Sequence, residues 1–470
     1  VRPPSIPVLD ATLLFVILCW SAWISSPGLD LYFTPDDGMN LVAMHQVFDK
    51  LWTADLRDTL LVVTTSYRPA GGLFYRGVYS AFGLNARAFR IAAHILLLMN
   101  LIAAYFLFRL LLGSPSASLL ALIPLGYHPV FIDLYANTGA VYDLLCFLFY
   151  SLSLIAFFTL WRRGAHLAWY LAPLALYGAA LGSKETAVTL PAAALLLLAS
   201  RGAVARWKEL ALRLAPFVVL TGAYMAVKLS AAGGLTINPA YRPEFSAGRL
   251  FGAILHYSSA FFIEGRLLNA AESTALFAAF AFSVLALRSF AALRLSACAV
   301  IAMLPVAFIA LRAPFASWIA CAFACAAIGA LFAGLVRHIP ESSREIAAAV
   351  LLGGVIGLYT AWAWPWRART FENARAAAEP LRATVEAIRG ARAGLAPRSR
   401  VLVLDLPLDS GEEYTPMFFA RLLFRDPSVD LVRSPSRCAP PHPPCTAALR
   451  YSGGTLGRAP LDSVTPGNLP

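Results

Sequence analysis

Long apolar stretches free of Asp, Glu, Lys and Arg recur through most of this sequence, and no other feature limits the fold as much. A bilayer core about 30 Å thick takes roughly 20 apolar residues of helix. Stretches near that length occupy 11–29, 91–108, 117–132, 144–161, 167–182, 295–311, 313–336 and 346–366. Three shorter ones, 187–200, 214–227 and 273–287, become spans if their polar ends lie in the headgroup zone or face protein. The expectation is a mainly α, polytopic bundle of about eleven membrane helices. Only 14% of the 470 residues are charged and 59% are hydrophobic, too little polar surface to cover a water-soluble globule. The first stretch lacks a small-residue cleavage site and is read as a retained span, not a signal peptide.

Basic residues occupy every second connection, among them Arg109, Arg162, Arg163, Arg288, Arg294 and Arg337. Basic loops stay on the cytoplasmic side. This orientation puts the N-terminus in the cytoplasm and, after an odd number of spans, the segment beyond 366 outside. A bacterial inner membrane is the expected location. The net charge of +12 is then a topology signal, and its scatter over many loops excludes a nucleic-acid surface.

Residues 1–366 therefore read as one membrane domain. Its first outer loop, 31–90, is too long for a mere connector. There Leu41, Val42, Met44, Val47, Phe48, Leu51 and Trp52 recur at helical spacing and predict an amphipathic interfacial helix. A second outer loop, 231–272, contains an amphipathic run at 249–262. Beyond 366 charge returns, and 367–470 reads as a small extracytoplasmic α/β domain. Its elements are a helix over 371–388 broken by Pro380, a strand at 401–404, a helix at 417–424 and a strand at 429–432. Cys438 and Cys445 bracket a proline-rich turn; a disulfide, free thiols and a metal site with His442 all remain open. The other five cysteines lie in apolar spans and read as packing residues.

A charge inside a membrane costs about 2.5–3.5 kcal/mol on insertion scales, so each one needs a partner, a wet cavity or a function. In this chain they concentrate in the outer half: Asp36, Asp37, Tyr67-Arg68-Pro69, His128, Asp133, Asp143, Lys184-Glu185, Lys228, Arg242 and Glu264. Each has a plainer use. Asp36 or Asp37 can cap the helix that follows, and Lys184 can snorkel to the interface. Their shared side points instead to one polar cavity opening outward.

Four local patterns resemble the GT-C class of integral-membrane glycosyltransferases, in its protein O-mannosyltransferase-like and transmembrane/tetratricopeptide O-mannosyltransferase-like branch. They are Phe33-Thr34-Pro35-Asp36-Asp37 after the first span, then Ser66-Tyr67-Arg68-Pro69 with Phe82-Gly83-Leu84-Asn85 and Asn100, then His128-Pro129-Val130 through Asp133 to Asp143-Leu144-Leu145, and lastly Lys184-Glu185 leading to Pro191. The likeness covers about residues 10–200. Arg90 stands where the family often has His, Asp133 where Glu is commoner, and no tetratricopeptide repeat is present.

The resemblance implies transfer of a sugar from a polyprenyl-phosphate carrier to an acceptor, be it protein, glycan or lipid, at the extracytoplasmic face. Asp36 is the first candidate for the base that takes the acceptor's proton and Asp37 the second. Arg68, Lys184 and Arg242 are candidates to stabilise the lipid-phosphate leaving group. Tyr67, His128, Asp133, Asp143 and Glu185 would orient these groups or the sugar. Mg²⁺ or Mn²⁺ on the Asp36–Asp37 pair suits carboxylate chemistry, and the metal requirement stays open. The rival readings are a lipid or glycan transporter and a non-catalytic envelope assembly protein.

Overall fold

A computed structural model describes residues 8–43, 68–198, 206–230 and 242–460, except 265, 393, 394, 397 and 427. Helices in chain order are α1 (Val8–Ser25), α2 (Pro35–Ala43), α3 (Pro69–Phe82), α4 (Ala86–Leu112), α5 (Pro115–Tyr127), α6 (Asp133–Ala136), α7 (Val141–Arg163) and α8 (Leu171–Leu181). They continue as α9 (Leu190–Leu198), α10 (Trp207–Ser230), α11 (Ala247–Phe262), α12 (Ala270–Ala286), α13 (Phe290–Ala307), α14 (Trp318–Val336), α15 (Glu341–Ala391) and α16 (Thr415–Phe424).

Among the described residues seven helical stretches are long and apolar enough to cross a membrane, and an eighth if one bent pair counts as a span. Three shorter apolar helical stretches, Leu167–Leu181, Glu185–Leu198 and Ala270–Ala286, stand at three further expected positions. The stretch at 214–227 was expected to be short but lies inside the full-length α10, whereas 167–182, expected as a clear span, is one of the short ones. The bent pair turns by 59° between α5 and the segment Pro129–Ala136. Pro129 has no N–H to continue the helix and forces His128 out of the α region, to φ −58°, ψ 129°.

The predicted loop helix over 41–52 is described only as far as α2, which ends at Ala43; Tyr67 and the rest of that run lie outside the described residues. The run at 249–262 is α11.

The last apolar stretch does not end where charge returns. α15 runs for 51 residues and passes through both Pro365 and Pro380, so the break expected at Pro380 does not occur. One missing N–H there is outweighed by packing, because Leu381, the next residue, and Val385 and Ile388 in the turns that follow are all buried. Near its midpoint the buried Arg367 donates to the carbonyls of Ile24 (3.1 Å) and Tyr127 (3.0 Å) and to the Tyr135 hydroxyl, pinning α15 to the bundle.

Four strands follow: β1 (Arg400–Leu404), β2 (Asp430–Val432), β3 (Ala447–Ser452) and β4 (Thr455–Ala459), in the order β2-β1-β3-β4. β1 runs parallel to β2 and β3, and β4 is antiparallel to β3. Alternation sorts the β1 side chains: Val401 and Val403 pack with Ile388, Ala420 and Leu431 on one face, Leu402 with Val432 and Ala448 on the other. β3 and β4 were not expected from the sequence, although Gly453 and Gly454, both at positive φ (54° and 86°), mark the hairpin turn that joins them. Cys438 and Cys445 form a disulfide, Cα–Cα 5.0 Å.

Candidate active site

Two polar groups lie near the start of α7. The first is built by the start of α2. Thr34 precedes Pro35, whose missing N–H is no loss in a first turn, and Asp37 reaches back to accept the Thr34 N–H at 2.8 Å. The same Asp37 oxygen meets Arg90 of α4 at 3.1 Å, both side chains being fully buried. Arg90 also donates to the Tyr32 carbonyl (2.6 Å) and the Thr138 hydroxyl (2.9 Å), so it ties this segment to the start of α7. Asp37 is thus a cap and an ion-pair partner within the protein. Asp36, one residue earlier and about 100° round the helix, is exposed. Partial burial, then the charges of Asp37 and Glu412, raise its pKa above the usual carboxylate value. The field of Asp36 extends to the half-buried Asp133.

The second group forms where the apolar run between α8 and α9 breaks. Lys184 is extended (φ −158°, ψ 148°) ahead of a 3₁₀ turn, Glu185–Thr189. Its ammonium donates to both oxygens of Asp143 on α7, at 2.6 and 2.7 Å. Glu185 accepts from Arg68 (2.8 Å) and from Lys228 of α10 (3.1 Å). Arg68 sits at the head of α3, which is held to the break by the Ala70 N–H on the Gly182 carbonyl (3.0 Å). Gly71 is needed for this fit, because a Cβ there would lie 2.0 Å from the Tyr142 ring. Among the described residues, three cations meet two carboxylates in this largely buried cluster, one positive charge more than negative.

Tyr142 joins the groups. Arg68 lies over its ring at 5.0 Å, and its hydroxyl donates to the Asn40 side chain at 3.5 Å. Asn40 is four residues from Asp36 on α2, hence on the same helix face one turn away.

The structure thus gathers Arg68, Asp143, Lys184 and Glu185 into one cluster, linked through Tyr142 and Asn40 to the helix that carries Asp36, while Asp133 lies within reach of the charges of Asp36 and Arg90. Two other candidates, His128 and Arg242, make no hydrogen bond or ion pair with the cluster among the described residues. His128 is buried, accepts the Val130 N–H at Nδ1, donates from Nε2 to the Phe261 carbonyl (2.6 Å) and stacks on the Phe261 ring (4.3 Å), a packing contact with α11. Arg242 is exposed and makes no ion pair among the described residues. Sequence reasoning left out Lys228, although it had been noted as a misplaced charge, and Arg90, which appeared only as a departure from a family pattern.

A divalent ion on the acidic pair is a poor fit. Asp37 Oδ1 has no hydrogen-bond partner among the described residues, but the group is fully enclosed and Arg90 already supplies its counter-charge. No group of three His, Cys, Asp or Glu residues placed to hold a metal occurs among the described residues.

Residues 67–227 match the family described as dolichyl-phosphate-mannose-protein mannosyltransferase. Similar solved structures include ArnT from Cupriavidus metallidurans bound to undecaprenyl phosphate, at TM-score 0.53 and 15% identity over 90% of this chain and 85% of that one. The oligosaccharyltransferase of Archaeoglobus fulgidus in the apo form gives TM-score 0.53 and 12% identity over 90% of this chain and 65% of that one. AglB from the same organism, in complex with an inhibitory peptide and a dolichol-phosphate, gives 0.50 and 13% over 92% and 65%. No curated protein sequence matches the chain.

Proposed function

We propose that this chain, a multi-pass membrane glycosyltransferase of the GT-C type, moves a sugar from a polyprenyl-phosphate carrier to a hydroxyl acceptor at the extracytoplasmic face of a bacterial inner membrane. The observation that carries the reading is the largely buried cluster of Arg68, Lys184 and Lys228, three cations against two carboxylates among the described residues, one side chain away from the Asp36 helix. A lipid phosphate such as the undecaprenyl phosphate bound to ArnT, or the dolichol-phosphate in complex with AglB, would present an anion to such a cluster.

Asp36 takes the proton of the acceptor hydroxyl as its oxygen attacks the anomeric carbon, the bond from that carbon to the phosphate oxygen breaks, and the lipid phosphate leaves with the electron pair. The negative charge that grows on the phosphate is met by Arg68 and Lys184, held in place beforehand by Glu185 and Asp143. Asp133 faces the sugar. The largely buried setting of the cluster strengthens these interactions. The segment 367–470 is extracytoplasmic in this reading, and the Cys438–Cys445 bond suits an oxidising compartment.

Radiolabelled transfer from a polyprenyl-phosphate sugar in membranes tests the reading, with a phosphate-free analogue of the same lipid as competitor. The phosphate-bearing lipid is expected to compete at least about tenfold better, since charge-assisted contacts are worth about 1.5–3 kcal/mol each. Equal competition removes the leaving-group argument.

The raised pKa of Asp36 gives a pH dependence with a definite sign. A base works when ionised, so kcat/KM falls as pH drops through its pKa, and this acid limb lies above the unperturbed Asp value of about 3.9. Glu412→Gln removes one of the charges that raise that pKa and is expected to move the limb to lower pH. A limb that stays put or moves up in a pH–rate profile excludes Asp36 as the group that titrates.

A further inference from the structure

α2 is nine residues long, too short to hold its own shape in isolation. Its order comes from packing on two sides. On the bundle side Leu41 and Val42 are buried in one cluster with Tyr75, Phe89 and Tyr142. On the other side lies α16, from the four-stranded unit almost four hundred residues further along the chain. Phe419 of α16 is fully buried in the same cluster, 5.9 Å from the Phe33 ring. Its edge fits against Gly38, where a Cβ would come within 2.5 Å of one ring carbon and within 3.0 and 3.2 Å of two more. A second tie runs from the Tyr79 hydroxyl of α3 to the Leu422 carbonyl, 2.9 Å.

The segment leading into α16 is fixed as well. Arg433 donates to the carbonyls of Leu408 (2.9 Å), Asp409 (2.5 Å) and Glu412 (3.2 Å), and the Thr415 hydroxyl donates to the Glu412 carboxylate (2.5 Å). That carboxylate is close enough for its charge to act on Asp36.

We propose that the C-terminal sheet unit is a working wall of the reaction site: Phe419, seated in the notch at Gly38, sets the height and rotation of α2, which makes Gly38 and Phe419 positioning residues for Asp36. The segment carrying Glu412 closes the same side of the site. The inference rests on Asp36 being the base. Phe419 is fully buried in one cluster with Phe33, Leu41 and Leu422, so a methyl group at Gly38, within 2.5 Å of its ring, must shift α2 or α16. Displacement of a reacting group by about 1 Å can cost about 100-fold in rate.

The test uses the full chain with three variants, Gly38→Ala, Phe419→Leu and the two combined, and three readouts. These are label transfer from a polyprenyl-phosphate sugar, binding of undecaprenyl phosphate, and amide hydrogen exchange of residues 36–43. Gly38→Ala is expected to lower kcat by about 10- to 100-fold, with undecaprenyl phosphate binding unchanged and faster exchange across α2. The combined variant makes room for the methyl group and is expected to return kcat to within about threefold of the Phe419→Leu value. Wild-type turnover in Gly38→Ala, or no recovery in the combined variant, overturns the positioning role. Loss of lipid binding together with turnover overturns it too, since that reports general collapse. If the wild type transfers no label, the reading of the site is what falls, and unchanged exchange in Gly38→Ala still overturns the notch independently.

Discussion

Asp36→Asn is expected to reduce sugar transfer by about 10²- to 10⁴-fold, the range a positioned general base supplies, while the protein accumulates and folds as the wild type does. The separation of chemistry from stability follows from the geometry. Asp36 is exposed, and none of its oxygens takes part in the capping contact or the buried ion pair, both of which belong to Asp37. An amide of the same shape therefore removes a proton acceptor and little else, within about 0.5 kcal/mol of stability. The neighbouring substitution behaves in the opposite way. Asp37→Asn leaves the Arg90 guanidinium buried without its counter-charge, and breaking a buried pair by removing one partner costs about 3–5 kcal/mol. Its first consequence is a poorly folded protein. Label transfer and thermal unfolding measured on both variants decide the matter: full turnover in Asp36→Asn rejects it as the base, whatever Asp37→Asn does.

Asp36 and Asp37 also show where sequence reading stops. They are adjacent letters of one residue type, and only the phase of α2 sends one to solvent and the other to Arg90, fifty-three residues away. The spans were legible because a bilayer imposes a length on apolar runs; the kink at His128-Pro129 falls inside 117–132, which reads in the sequence as one unbroken span, and it follows from the local effect of proline. Pro380 misled for the same reason: its local effect favours a break, and the contacts of Leu381 and Val385 with α16, which come from distant sequence, keep the helix whole. Lys184-Glu185 could be flagged as charges in an apolar run. Their partners could not, because Asp143, Arg68 and Lys228 arrive on three other helices. The role of the last hundred residues was equally hidden, since nothing in the run 415–424 announces that Phe419 faces Gly38.

Lys184→Ala is expected to lose about 10³-fold in transfer, and a companion variant can show that the loss is not merely one of folding. The ammonium bridges both oxygens of Asp143, with side-chain exposures of only 10% and 4%. Removing it alone strands a buried carboxylate, so Lys184→Ala should also unfold more readily, by about 3–5 kcal/mol. Removing both charges, as in Lys184→Met with Asp143→Leu, takes away the stranded group and should return most of that stability, because apolar replacement of a whole buried pair is often neutral. Activity should stay low in the double variant, since no ammonium remains to meet the phosphate. Arg68→Ala is the matching case on the other side of the cluster, where Lys228 still compensates Glu185, so its stability cost is smaller while transfer still falls. Thermal unfolding and label transfer on these variants separate two roles that the ion pairs alone leave merged. A double variant that regains both stability and turnover makes the Lys184–Asp143 pair a structural tie, and the phosphate must then be held elsewhere.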